Sequence, residues 1–168
     1  MTENLLTRSL AAFLRSALSG FRLEASDGGG DHPVSVYEGY LPAKHGSEGE
    51  NFPFVIVRAK SGSIGFEESR LSCDLIFGAW SRDDQGYQYA VNMLRRAAQA
   101  LLAMPGMVLD SRYILDAPLE WEMDEDQAYP AWTGVMHTEW RFYGPARVEE
   151  AAAEDEGYSF DSETGQFE

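Results

Sequence analysis

Apolar residues recur at three- and four-residue steps near the start of the chain. Leu6, Leu10, Phe13, Leu14, Ala17 and Leu18 share one face of a helix, with Arg8, Arg15 and Ser16 on the other. Thr2 or Asn4 can cap its start, and Gly20 is expected to end it in the left-handed conformation that most side chains avoid. This spacing predicts a helix over about residues 3–18. A second helical pattern covers about residues 84–103, with Tyr87, Val91, Leu94, Ala98 and Leu101 as its stripe and Arg95 and Arg96 beside it. Asp83 or Asp84 is placed to cap that helix and Pro105-Gly106 to stop it.

The rest of the chain alternates at period two or runs apolar, as strands do. Val34, Val36 and Glu38 begin a strand-like stretch reaching Leu41, and the polar run from Pro42 to Asn51 reads as an excursion between strands. Phe54-Val55-Ile56-Val57 is continuously apolar, which predicts a central strand buried on both faces. Ser61-Gly62-Ser63 is expected to turn the chain into a long strand from Glu68 to Trp80, with Leu71, Cys73, Leu75 and Phe77 on one face. A short strand is expected near Tyr113 to Leu115. In the next one Leu119, Trp121 and Met123 alternate with Glu120, Glu122 and Asp124, the mark of one wet face. An acidic loop from Asp124 to Pro130 leads to a last strand over Trp132 to Tyr143, ending at Gly144-Pro145. Two helices packed on a mostly antiparallel or mixed sheet make an α+β fold. The expected organisation is one domain over residues 1–146.

Composition changes this picture at the C-terminus. Hydrophobic residues at 44% suffice for a core, but residues 147–168 hold one basic residue against eight acidic ones, about half of the net charge of -15. That imbalance predicts an acidic, mobile tail, in which Tyr158, Phe160 and Phe167 stand out as residues able to dock on a partner. The overall charge opposes tight binding to free nucleic acid, since 13 Lys and Arg must serve the whole chain. A single cysteine, Cys73, excludes an internal disulfide. No apolar run has the length of a membrane span, and residues 1–10 lack the pattern of a secretory signal, so a cytoplasmic product is expected. The N-terminal helix, with two arginines on its polar face, is expected to pack on a sheet rather than on a membrane.

No catalytic constellation is legible. His32 and His45 sit in glycine-rich loops and His137 in the last strand, none with a ligand partner at metal spacing. Glu120, Glu122, Asp124, Glu125 and Asp126 form the densest acidic cluster. Strand alternation explains the first three, and the glycine and terminal glutamate of a calcium loop are missing. Cys73 lies among apolar strand residues with no basic neighbour to activate it, no Gly-x-Ser-x-Gly elbow occurs, and Lys60 precedes its glycine, the wrong order for a phosphate loop. The expectation is a protein with no catalytic, cofactor or metal site. Trp80, Trp121, Trp132 and Trp140 read first as core and second as contact residues.

The order of certain segments does suggest a family. Val36-Tyr37-Glu38-Gly39-Tyr40-Leu41-Pro42, Phe52-Pro53-Phe54-Val55-Ile56-Val57-Arg58, Asp74-Leu75-Ile76-Phe77-Gly78, Asp84-Gln85-Gly86-Tyr87, Pro118-Leu119-Glu120-Trp121 and Tyr129-Pro130-Ala131-Trp132 resemble tailed-phage and prophage neck proteins of the tail terminator, or tail-completion, group. The resemblance spans about residues 34–143, with the first helix in a compatible place; the acidic extension after Pro145 lies outside it. It implies an α+β protein that forms a ring of copies, expected to be hexameric. Such a ring caps the tail tube, joins it to the head and lets DNA pass without specific binding. It would assemble in the host cytoplasm and end in the virion. The implied partners are other copies, the tail tube protein and a head-connector protein. A repeated head-to-tail contact could set Arg95 and Arg96 of one copy against Glu120, Glu122 and Asp124 of the next. The alternatives are another head–tail joining component, an acidic inhibitor or DNA mimic that binds a nucleic-acid-binding protein, and an enzyme of unknown type.

Overall fold

The computed structural model describes residues 2–24, 30–41 and 52–143. Among them, apolar stripes and strand alternation produce an α+β fold in the order α1 (Thr2–Ala17), β1 (Arg22–Glu24), β2 (Asp31–Pro33), β3 (Ser35–Glu38), β4 (Phe54–Ser63), β5 (Glu68–Trp80), α2 (Tyr87–Leu102), β6 (Val108–Leu109), β7 (Tyr113–Met123) and β8 (Ala131–Tyr143). Strands β3 to β8 form one sheet in the order β3-β4-β5-β8-β7-β6, while β1 and β2 pair separately. Only β3 and β4 run parallel; the other pairs are antiparallel.

Both helices lie on the same face of the sheet, α1 on β3 and β4, α2 on β5 and β8. Leu6, Leu10, Ala11, Leu14 and Leu18 of the first segment meet Val55, Val57, Leu71, Cys73, Leu75 and Phe77 of the sheet in one core, which Met136, Trp140 and Phe142 of β8 extend. The expected strand over Glu68–Trp80 is β5 itself, with Leu71, Cys73, Leu75 and Phe77 buried. Phe54 to Val57 are all buried, although β4 is next to the edge strand rather than at the centre of the sheet.

Several local expectations are corrected. The buried stripe of α2 is Ala90, Met93, Leu94, Ala97 and Leu101, while Tyr87 is exposed and Val91 and Ala98 lie at the margin. Two small alanines let the helix approach the sheet closely, so the stripe is set by fit rather than by the largest side chains. Gly20 is not left-handed. The helix ends instead through tightening turns, Ser19 N–H to the Ser16 carbonyl (3.3 Å) and Phe21 N–H to the Leu18 carbonyl (3.0 Å). Asp83 does not cap α2: its carboxylate accepts the Gln85 N–H (3.0 Å) in the turn ahead of Gly86, the residue that precedes the helix. Ser61 to Ser63 continue β4, and the chain reverses over residues 64–67. His32 lies in β2 rather than in a loop.

The two strands expected between Tyr113 and Met123 are one strand, β7, with its register shifted between Asp116 and Glu120. It is preceded by a tight hairpin that the sequence reading missed. Asp110 and Ser111 both have positive φ (51° and 55°), and the Arg112 N–H reaches the Leu109 carbonyl (3.1 Å). This is the mirror-image turn whose twist matches paired strands. The expected excursion over residues 42–51 lies outside the described residues, as do His45 and the tail with Tyr158, Phe160 and Phe167. No helix among the described residues is long and apolar enough to cross a membrane.

Candidate functional site

Because side chains alternate along a strand, a sheet with helices on one side presents its second face elsewhere. Here that face carries Glu68, Arg70, Ser72, Asp74 and Ile76 of β5, Val135, His137, Glu139 and Arg141 of β8, and Asp116, Glu120 and Glu122 of β7, in register across the three strands. The half toward the start of β5 is an ion-pair lattice. Arg141 Nε donates to Asp116 (2.8 Å) and its guanidinium lies 3.6 Å from Glu68, while Arg70 Nε donates to Glu68 (2.9 Å). The hydrogen bond and charge of Asp116 push the Arg141 pKa further upward. Ser72 Oγ donates to Glu139 (2.6 Å).

One cross-strand row holds Arg58, Asp74, His137 and Glu120. Asp74 contacts His137 Nδ1 at 2.7 Å and Lys60 at 3.7 Å, and Glu122 lies 3.6 Å from His137 Nε2. The Asp74 carboxylate orients the imidazole through Nδ1, while the exposed Glu122 carboxylate lies near Nε2 beyond hydrogen-bonding distance. Sequence inspection did not find this group because its members come from four strands and meet only through register. No group of three or more His, Cys, Asp and Glu residues among the described residues is placed to hold a metal ion. Cys73, on the opposite face, is fully buried. Desolvation, with a smaller contribution from the Asp74 charge, pushes its thiol up to about 12, which keeps it protonated and unreactive.

The other half of this face is apolar and aromatic. Phe52 packs on Phe54 and on Trp80, with ring centroids 4.9 and 5.5 Å apart. Trp132 lies at the same end of the sheet, donating through Nε1 to the Ser81 carbonyl (2.9 Å) and flanked by Tyr87 and Tyr129. Trp140 is the one tryptophan of the four that is fully buried. Trp121, expected in the core, is 49% exposed because it sits toward the far end of β7, away from the strands on which the helices pack.

The residues expected to form a subunit contact fall on opposite sides of the molecule. Arg95 and Arg96 are exposed on α2, in the helix layer. Glu120 and Glu122 point from β7 on the open face of the sheet. Asp124 follows β7 and is engaged locally, accepting the Thr133 hydroxyl and pairing its N–H with the Thr133 carbonyl (3.1 Å). One molecule therefore does not bring the two groups together. Compared with models of known protein families and with curated protein sequences, the chain matches none.

Proposed function

We propose that this chain is a non-catalytic structural protein of the head–tail neck of a tailed phage or prophage, a tail terminator or tail-completion protein acting as a ring of identical copies. The observation that carries the reading is a pair of unmatched patches of opposite sign on opposite sides of the molecule. α2 carries Arg95 and Arg96 and no acidic side chain, whereas Glu120 and Glu122 stand on the open sheet face with no Lys or Arg partner among the described residues. These two patches cannot pair within a copy but can pair between copies stacked head to tail, the contact type that closes into rings. The resemblance in the order of segments points to the same role, and an acidic inner surface would let DNA slide because it offers no cations to replace counterions. An acidic DNA-mimic role is less well served, because Arg70, Arg141 and Lys60 neutralise much of the carboxylate array on the folded face.

Native mass spectrometry with negative-stain imaging tests the reading. A closed ring, with six copies the expected number, is the outcome it requires, either free in solution or on the ends of tail tubes. Reversing charge with Arg95→Glu and Arg96→Glu should weaken assembly. A protein that stays monomeric and also leaves purified tail tubes uncapped would exclude the role.

A further inference from the structure

Strand β8 ends at Tyr143, and residues 147–168 beyond it hold one basic side chain against eight acidic ones. The end of β8 lies at the same end of the molecule as the end of α2. Arg141 of β8 pairs with Ile114, and the Tyr113 ring packs on Phe142 (5.6 Å). Tyr113 and Ile114 in turn pair with β6, which begins six residues after Leu102. The stretch from Tyr87 to Leu115 has the opposite charge balance, with Arg95, Arg96 and Arg112 against Asp110 alone. All three arginines are exposed, and among the described residues none has a carboxylate partner. Arg95 and Arg96 lie roughly 10 Å back along the helix from Leu102. Two apolar groups accompany them. Tyr89, seven residues before Arg96, is 37% exposed, and Leu102, seven residues after Arg95, is 47% exposed. Seven residues make about two helical turns, so each apolar group shares a stripe with an arginine.

The acidic tail carries the complement of that surface. Glu154, Asp155 and Glu156 precede Tyr158 and Phe160, and Asp161 and Glu163 follow them. The fifteen residues from Tyr143 to Tyr158 can span roughly 50 Å when extended, about twice the length of α2. Other seats at this end of the molecule are closed to it by charge. On the open face Arg70 and Arg141 are already paired with Glu68 and Asp116. The β4–β5 hairpin projects here too, because its Glu68 pairs with Tyr143. Ile64 and Phe66 at its tip are 85% and 89% exposed, but Glu67 and Glu68 flank them and Lys60 is turned to Asp74. On α2 no acidic side chain interrupts the arginines and the apolar groups beside them.

We propose that the acidic tail docks on α2 of its own copy, with carboxylates on Arg95 and Arg96 and with Tyr158 and Phe160 against Tyr89 and Leu102. A tethered segment binds at high effective concentration, so individually weak contacts suffice. The docking needs no second copy. Its consequence, that the tail competes with Glu120 and Glu122 of a neighbour for Arg95 and Arg96, rests on the ring reading. Disulfide trapping in dilute full-length protein tests the docking. Asn92→Cys with Ser159→Cys sets one thiol on the exposed surface of α2, between Tyr89 and Arg96 in sequence, and the other between the two tail aromatics; buried Cys73 does not compete. Ser159→Cys combined with Ser63→Cys on the hairpin, or with Glu139→Cys on the open face, gives the reference rates. The expected result is a disulfide within one chain, read by intact mass, that forms at least about tenfold faster in the α2 pair than in either reference pair. Adding Arg95→Glu and Arg96→Glu should lower it to the reference rate, with circular dichroism to verify the fold. An α2 pair no faster than the references overturns the docking. So does a fast rate that survives the charge reversal, or a cross-link found only between copies. Failed trapping leaves the ring reading standing, because ring closure is read on the wild-type chain; a wild-type chain that forms no ring and caps no tail tubes, with trapping intact, overturns only that reading.

Discussion

Thr138 shows how a single buried polar group organises the core. Its hydroxyl donates to the Cys73 carbonyl (2.7 Å) and accepts the Trp140 indole N–H (2.8 Å), all out of contact with solvent. Thr138→Val keeps the shape and leaves the indole N–H buried without a partner. The variant should lose about 1–3 kcal/mol, read as a lower urea midpoint with an unchanged slope. Cys73 makes a second prediction at this scale. Its thiol ionises near 9.0 when unexposed to the fold's influence and near 12 when buried. The protonated thiol therefore favours the folded state fully below pH 9, and that contribution disappears as pH rises from about 9 to 12. Wild type should lose stability more steeply than Cys73→Ala across that window, by at most roughly 4 kcal/mol. At pH 8 a thiol reagent should label Cys73 only after denaturant is added. Rapid labelling of the native protein would contradict the burial.

Elements in this fold are joined by close approaches that leave no room for a side chain. Gly78 of β5 lies directly under Phe54 of β4: a Cβ there would stand 2.3 Å from the ring. Gly78→Ala should therefore force the Phe52–Phe54–Trp80 cluster apart and cost about 1–3 kcal/mol, visible in thermal denaturation, despite the better strand propensity of alanine. The helix layer makes the complementary case. Leu10 is fully buried where α1 meets the sheet, so Leu10→Ala should cost about 2–5 kcal/mol through the cavity it leaves. Strand β5 was legible from end to end because it is half-buried along its length and keeps strict alternation. β7 was not: its register shift moves residues after Asp116 off the period, so a continuous strand read as two.

At the scale of the whole molecule, charge and shape divide the protein into a helix layer with basic α2, an acidic open face on β7, and a projecting apolar hairpin. The described core runs from Leu6 to Phe142, so a chain ending at residue 146 should fold with a midpoint temperature within a few degrees of the full chain. Removing residues 147–168 also removes about half the net negative charge. Self-association of the shortened chain should be stronger at low salt, and the difference should shrink as salt rises and screens the repulsion. Sedimentation velocity across a salt series measures both effects. Equal association of the two chains at low salt would show that charge in the tail does not act between copies.

Hydrophobic period and composition alone determined the α+β class, the first helix, β5, the buried run in β4, the core position of Cys73 and the acidic character of the last residues. Each depends on local spacing or on counting, which the linear chain contains. Tertiary structure decided the parallel pairing of β3 with β4, the exposure of Trp121, the His137 group and the separation of Arg95 and Arg96 from Glu120 and Glu122. Those depend on which strands become neighbours, in what register, and how far the helices extend over the sheet. Residues distant in sequence set all three, so no window along the chain contains them.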